Sequence, residues 1–313
     1  MNRQTEEGTT CSIVVPVYRG AETLEPLVER LAQALPAFAQ AYEVILVNDD
    51  SPDNSWEIIE RLVQRYTWVR GIRLMRNYGQ HNATLCGVRA ARYEITVTMD
   101  DDLQHPPEEI SRLLEKLNEG YDVVYGAPRK PPQGLWRNWM TRTTKRLLAW
   151  VMKVPSVREI SAFRAFRTQL RDAFVGFSSP TLTLDVLLSW GSSRFTYILV
   201  DIPSARHSNY NFSALAHAAL LILTGYTTAP LRLASWLGLV MSMFGVAIFV
   251  YVLGIYFIAG SLPGFPFLAS VISIFSGAQM LVLGIFGEYL ARMFDRIMDR
   301  PPYVIAQQVG AEQ

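Results

Sequence analysis

The sequence predicts an α/β domain, with a mostly parallel sheet and helices on both faces, followed by a two-helix transmembrane hairpin. Three observations predict it. Short apolar runs alternate with amphipathic stretches of helical spacing through the first 125 residues. Two of those runs end in acidic clusters. No charged residue occurs between Arg232 and Glu288, a gap of 55 residues in a chain of 313.

The elements follow in order. Ser12 to Tyr18 is apolar enough for a buried strand. Leu24, Leu27, Val28 and Leu31 fall on one face of a helix from Thr23 to Leu35. A strand over Glu43 to Val47 precedes a helix over Trp56 to Tyr66, which Asp53 or Asn54 can cap. Gly71 to Met75 is a third strand, Asn82 to Ala91 a helix rich in small residues, and Ile95 to Met99 a fourth strand. Pro106 to Asn118 has Pro near its start and Gly120 just past its end, as helices favour. Asp122 to Tyr125 and Phe195 to Ile202 are further strands. In such sheets ligands bind beyond the carboxyl ends of the strands, where both acidic clusters lie.

Residues 236–258 and 265–287 are the expected spans. At about 1.5 Å per residue, the first covers roughly 35 Å, enough for a hydrocarbon core of about 30 Å. Arg232 precedes the pair and Arg292, Arg296 and Arg300 follow it, so the positive-inside rule puts both ends in the cytoplasm. The division is 1–210 for the α/β domain, 211–230 for an amphipathic interfacial segment, 231–290 for the spans and 291–313 for a cytoplasmic tail. Gly126 to Arg171 holds eleven Lys or Arg and one acid, with Trp136, Trp139 and Trp150 interleaved. That composition suits either a membrane interface or a solvated basic helix. A net charge of +1 speaks against nucleic acid. Cys11 and Cys86 have no metal-ligand spacing and make no disulfide framework. The polar N-terminus lacks the apolar core of a signal peptide, which agrees with a cytoplasmic domain.

The strongest chemical signal is Asp100-Asp101-Asp102-Leu103-Gln104-His105 after an apolar strand. Adjacent carboxylates repel, and a hard cation such as Mg²⁺ or Mn²⁺ relieves that while sharing oxygens with a diphosphate. In an extended segment Asp100, Asp102 and Gln104 point to one side and converge on one ion. An acidic turn capping the next helix is the other reading. Asn48-Asp49-Asp50-Ser51-Pro52-Asp53 is either a nucleoside-binding edge or a capped turn. Arg76 to Asn82 supplies a polar loop at the same edge. No G-x-G-x-x-G, Walker loop or His-Glu-x-x-His is present.

Taken together, these segments resemble glycosyltransferase family 2, with its GT-A fold, and within it the polyprenyl-phosphate branch. Val14-Val15-Pro16-Val17-Tyr18 matches the opening strand, Val47 to Ser51 the V-D-D-G-S element, and Asp100 to His105 the D-A-D-L-Q-H metal motif. Arg76 to His81 resembles the formamido-arabinose transferase members most strongly. Phe163-Arg164 resembles the G-F-R element, and Gly287 to Arg292 with Arg300 to Tyr303 the tail of two-span bacterial members. Asn48 and Asp50 stand where the pattern has Asp and Gly, so Asp49 inherits the base or ribose role.

The resemblance implies inverting transfer of a sugar from a nucleotide-sugar, UDP-linked by this reading, to polyprenyl (undecaprenyl) phosphate. The product would be a lipid-linked monosaccharide for envelope glycan or lipid A modification, made at the inner membrane. Implied roles are metal binding by Asp100, Asp102 and Gln104, with Mg²⁺ or Mn²⁺ as cofactor. Pro16, Tyr18, Asn48, Asp49, Asn77, Gln80, Asp100 and Asp101 would contact the nucleotide. Arg129, Lys130, Arg164 and Arg206 would hold the acceptor phosphate, and the catalytic residues would be Asp100, Asp102, Arg129 and Arg206. A homo-oligomer is a further expectation. The alternatives are a processive polysaccharide synthase and a non-catalytic scaffold. Gln133 to Arg137 has the wrong order for the first, and the retained carboxylates argue against the second.

Overall fold

The computed structural model describes residues 9–129, 160–177, 183–201, 228–259, 264–298 and 300–310. It divides into two compact units, residues 1–215 with 300–313, and residues 216–299.

The first unit is built on one eight-stranded sheet. Its strands are β1 (Thr10–Val17), β2 (Ala41–Asn48), β3 (Val69–Leu74), β4 (Ile95–Thr98), β5 (Val123–Pro128), β6 (Arg164–Arg167), β7 (Phe195–Val200) and β8 (Ile305–Val309). Their spatial order is β7-β5-β6-β4-β1-β2-β3-β8. The β1, β2, β3 and β4 pairings are parallel, as is β5 with β7. Only β6 and β8 run against their neighbours. This is the GT-A-like sheet that the sequence predicts. Its central strands are buried on both faces and so read as unbroken apolar runs.

The described helices of this unit are α1 (Leu24–Ala34), α2 (Ser55–Arg65), α3 (Gln80–Ala90), α4 (Ile110–Asn118) and α5 (Leu184–Gly191). α1 buries Leu24, Leu27, Val28 and Leu31, the face its spacing predicts. Each such side chain contributes about 1.5–3 kcal/mol on leaving water. α3 lies on the other face, where Ala83 and Cys86 pack on Val14, Ile45 and Val47.

Three elements escaped the periodicity reading. β6 is four residues long with an arginine at each end, so it reads as polar although Arg164 is buried. α5 buries Leu184 through Leu188, a run with no helical alternation to detect. The C-terminal tail, expected as a cytoplasmic segment with no assigned element, adds β8 along the β3 edge.

The second unit holds two long helices, α6 (Ala229–Ala259) and α7 (Phe265–Ile297). Windows at Pro230–Val252 and Ile274–Ala291 are apolar and long enough to cross a membrane, with mean hydropathies of 2.1 and 1.4. Each expected stretch, 236–258 and 265–287, lies within its helix. The Phe244 and Phe275 rings stack at 6.5 Å, where Gly245 leaves room for Phe275. Trp236, Phe249, Phe257, Leu283 and Met293 are exposed. Buried core helices hide such groups, whereas helices solvated by lipid display them. The protein is therefore read as membrane-associated. The tryptophan-bearing basic segment at 130–159 and the apolar stretch at 212–223 fall outside the described residues.

Candidate active site

β1 is flanked by β2 on one side and β4 on the other, and the chain leaves their carboxyl ends in opposite directions. Such a switch point opens a crevice in a parallel sheet. Here it forms a cleft of about 330 Å³ lined by Pro16, Val17, Tyr18, Asp49, Asn77, Gly79, Gln80, Asp100, Asp101 and Asp102. Each lining residue follows or ends one of the four parallel strands.

The loops at this edge are held in costly conformations. Arg19, Asp50 and Leu103 have φ of 59°, 52° and 62°, and they are the non-glycine residues with positive φ among those described. One follows each of β1, β2 and β4. Strain of this kind costs about 1–3 kcal/mol per residue and persists where surrounding bonds over-determine it. Those bonds are present. Arg19 N–H donates to Ser51 Oγ (2.9 Å), Gly20 N–H to Ser55 Oγ (3.1 Å) and Ala21 N–H to Asp53 Oδ2 (3.3 Å). The second acidic cluster thus divides its work: Asp49 enters the cleft, while Ser51, Asp53 and Ser55 lace the two loops together. Asn48, expected at the nucleotide, is 1 % exposed and lies outside the cleft lining. Its Oδ1 accepts from Ser51 N–H at 2.8 Å, so it shapes the turn.

Asp49 accepts the N–H groups of Tyr78 (2.7 Å) and Gly79 (2.8 Å). Gly79 has φ of +90° at the start of α3, a conformation that suits glycine. Burial raises the Asp49 pKa, the two N–H groups oppose that, and Asp50 adds to the rise. Gln80 Nε2 donates to Asp100 Oδ1 at 2.6 Å and so ties α3 to the end of β4.

The three carboxylates do not alternate along a strand. Residues 101–103 bend, and Leu103 is left-handed. Asp102 Oδ1 accepts Gln104 N–H at 3.1 Å, and His105 Nδ1 accepts Asp100 N–H at 3.0 Å. Gln104, expected to alternate with Asp100 and Asp102 onto one ion, therefore does not do so; it is absent from the cleft lining, which Asp101 joins. Burial, followed by repulsion from its acidic neighbours, pushes the Asp101 carboxyl up to about 7, with the nearby Tyr18 backbone opposing the rise. Asp100 is raised chiefly by burial. Asp101 Oδ2 is buried without a hydrogen-bond partner. A Cβ at Gly20 would lie 2.5 Å from that oxygen, so glycine is what leaves it room.

A second cavity of about 240 Å³ adjoins the cleft through Pro16, Gln80 and Asp100, and adds His81, Thr84, Ser161, Arg164 and Asp185. Sequence reasoning missed Asp185; its place in an unrecognised helix hid it. Asp185 Oδ1 accepts from Arg164 Nη1 and from Tyr125 O–H (2.9 Å). Arg164 Nε donates to Thr98 Oγ1 at 3.0 Å. Arg164, expected at the acceptor phosphate, is 3 % exposed, and its guanidinium is committed to these partners. Arg129 is half-exposed at the end of β5 and pairs with Asp201 at 3.3 Å. Lys130 and Arg206 lie outside the described residues.

The chain belongs to glycosyl transferase family 2, whose model matches residues 12–179, the stretch that carries this carboxylate-rich crevice, and it is a glycosyltransferase. Within the family it falls in the polyprenyl-phosphate branch. It is 33% identical to the undecaprenyl-phosphate 4-deoxy-4-formamido-L-arabinose transferase of Proteus mirabilis, over 96% of this chain and 94% of that one. The same-named protein of Yersinia enterocolitica is also 33% identical, over 99% and 97%. Glucosyl-3-phosphoglycerate synthase from Mycobacterium tuberculosis, crystallised with Mn²⁺ and UDP-glucose, shares the fold at a TM-score of 0.51 and 17% identity. That likeness covers 69% of this chain and 77% of the synthase.

Proposed function

We propose that the protein transfers a sugar from a UDP-linked donor to undecaprenyl phosphate, with inversion, at the cytoplasmic face of a membrane. The observation that carries this is the cleft, whose lining joins Asp49 and the 77–80 loop on one side to Asp100, Asp101 and Asp102 on the other. The full-length likeness to undecaprenyl-phosphate transferases supports the acceptor. The apolar helices support delivery from a bilayer.

Asp49 already accepts two backbone N–H groups, and its remaining lone pairs suit a base imide or ribose hydroxyl. Tyr18, 45 % exposed at the cleft, offers a ring face to the base. Gln80 and Asp100 sit at the join between the two cavities. The donor's diphosphate would lie there, with its sugar toward His81, Thr84 and Asp185. The acceptor oxygen is anionic near neutral pH, so the chain need only position it and exclude water. Arg129 is suited to that phosphate because its exposed pair with Asp201 is weak and exchangeable.

The donor set fits a hard divalent cation. It is all carboxylate oxygen, it includes an orphaned buried Oδ2 on Asp101, and burial, then repulsion between the acids, disfavours the bare charge of Asp101. Among the described residues no three acidic, His or Cys side chains form a complete cage. Asp100 and Asp102 would then share the ion with the donor's phosphates, as Mg²⁺ and Mn²⁺ sites commonly do. Bound there, it would supply positive charge to the departing diphosphate.

Two measurements test this reading. Membranes containing the protein, incubated with a panel of radiolabelled nucleotide sugars, are expected to yield one labelled polyprenyl-phosphate monosaccharide. A long polymer would favour a processive synthase, and no labelled lipid from any donor would overturn the proposal. The second is pH-dependent. Asp100 and Asp101 are raised in the fold, so without metal their contribution to stability is full below the ordinary 3.8 and fades as pH rises, for Asp101 through about 7. A cation replaces those protons. The rise in melting temperature on adding Mn²⁺ is therefore expected to be larger at about pH 8 than at about pH 5. Equal shifts at both would contradict binding at these carboxylates.

A further inference from the structure

The C-terminal strand grips both stems of the loop that closes one side of the cleft. The loop at 75–79 leaves β3 and enters α3. β8 lies antiparallel on β3, pairing Gly71 with Val309, Ile72 with Gln308, Arg73 with Gln307 and Leu74 with Ile305. The register shifts between Arg73 and Leu74, immediately before the loop. Such shifts re-aim the residues that follow. The ladder then continues one residue into the loop, where Met75 N–H donates to Val304 C=O at 2.9 Å.

Tyr303 reaches the other stem. It packs on the cluster of Val14, Ile72, Leu74, Ala83 and Cys86. Its hydroxyl faces Cys86 and Arg89 of α3, and the Arg89 guanidinium lies 5.8 Å from its ring centre. Arg89 is itself fixed by the carbonyls of Val175 (3.0 Å) and Phe177 (2.8 Å). Burial is a poor account of the tail, because every residue of β8 but Val309 is exposed. Its specific bonds instead converge on β3 and α3, the two supports of the Tyr78 and Gly79 N–H groups that meet Asp49 and of the Gln80 amide that meets Asp100. Four residues, 298–301, separate the end of α7 from this grip.

We propose that residues 302–309 are a positioning segment for the donor site, with Tyr303 and the β8 backbone holding the 75–80 loop in the geometry that the nucleotide meets. This rests on the donor reading of the cleft, and the test separates the two. Full-length protein, Tyr303→Ala, Tyr303→Phe and a chain lacking 302–313 are compared in detergent by hydrogen exchange and by titration with UDP and Mn²⁺. In Tyr303→Ala and the shortened chain, the Tyr78 and Gly79 amides are expected to exchange faster. UDP affinity is expected to fall about tenfold and the donor KM to rise alike, with kcat within about threefold of the full-length protein. Tyr303→Phe keeps the ring and is expected to stay near wild type. Should the shortened chain not fold, the Tyr303 pair alone decides. Wild-type exchange at Tyr78 and Gly79 in Tyr303→Ala would overturn the inference. If the unaltered protein binds no UDP, the donor reading falls while the exchange data still judge the grip.

Discussion

Replacement of Asp102 by alanine is expected to lower sugar transfer by about 10²–10³-fold, the usual loss when one charge-stabilising group is removed from a reacting centre. Asp102 lines the cleft beside Asp100 and Asp101 and accepts its only described hydrogen bond from Gln104 N–H within its own turn. Its removal therefore leaves no buried partner stranded, and the fold should survive. The same substitution at Asp101 is expected to behave differently. Asp101 carries the orphaned oxygen packed against Gly20, so alanine there leaves a gap beside the β1 loop as well as removing charge. Membranes bearing each variant, assayed with the active donor and Mn²⁺, separate these effects. Near-wild-type transfer by Asp102→Ala with added Mg²⁺ or Mn²⁺ would falsify the metal assignment.

The contrast between these neighbours shows where sequence reasoning stops. Three carboxylates at a strand's end announced a site, because their repulsion requires compensation. All three line the cleft, but that Gln104 does not join them goes with the bend at 101–103 and a left-handed Leu103, which no residue type signals for leucine. Similarly, Asn48 and Asp49 are adjacent polar residues with equal claims on paper. The fold turns one inward onto Ser51 and the other into the crevice. The parallel strands were legible because burial on both faces leaves continuous apolar runs. β6 and β8 were not, since one carries a buried arginine and the other lies exposed at an edge. Asp185 could have been suspected only by asking what neutralises Arg164, a question that arises once the arginine is known to be buried.

That pairing gives the second large expectation. Arg164→Met should cost about 3–5 kcal/mol of stability, the usual loss when one member of a buried ion pair is removed. Burial opposes the Arg164 charge, but Asp185, Tyr125 and Asp100 together hold it firmly positive. Without it, Asp185 stays 4 % exposed among Leu184, Val186 and Leu187 with only Tyr125 O–H to satisfy it. Asp185→Leu should cost a similar amount by stranding the guanidinium. The double change Arg164→Met with Asp185→Leu removes both charges and should recover most of the loss, as apolar replacements of buried pairs often do. Melting temperatures of the four proteins close the cycle. A different result returns Arg164 to the acceptor: unchanged melting in Arg164→Met, with a raised KM for the lipid phosphate, would mean that the arginine leaves Asp185 for substrate. The distinction matters for the chemistry next to it. A guanidinium locked onto Asp185 acts as fixed charge beneath Asp100, where it favours the ionised carboxylate without any movement during turnover.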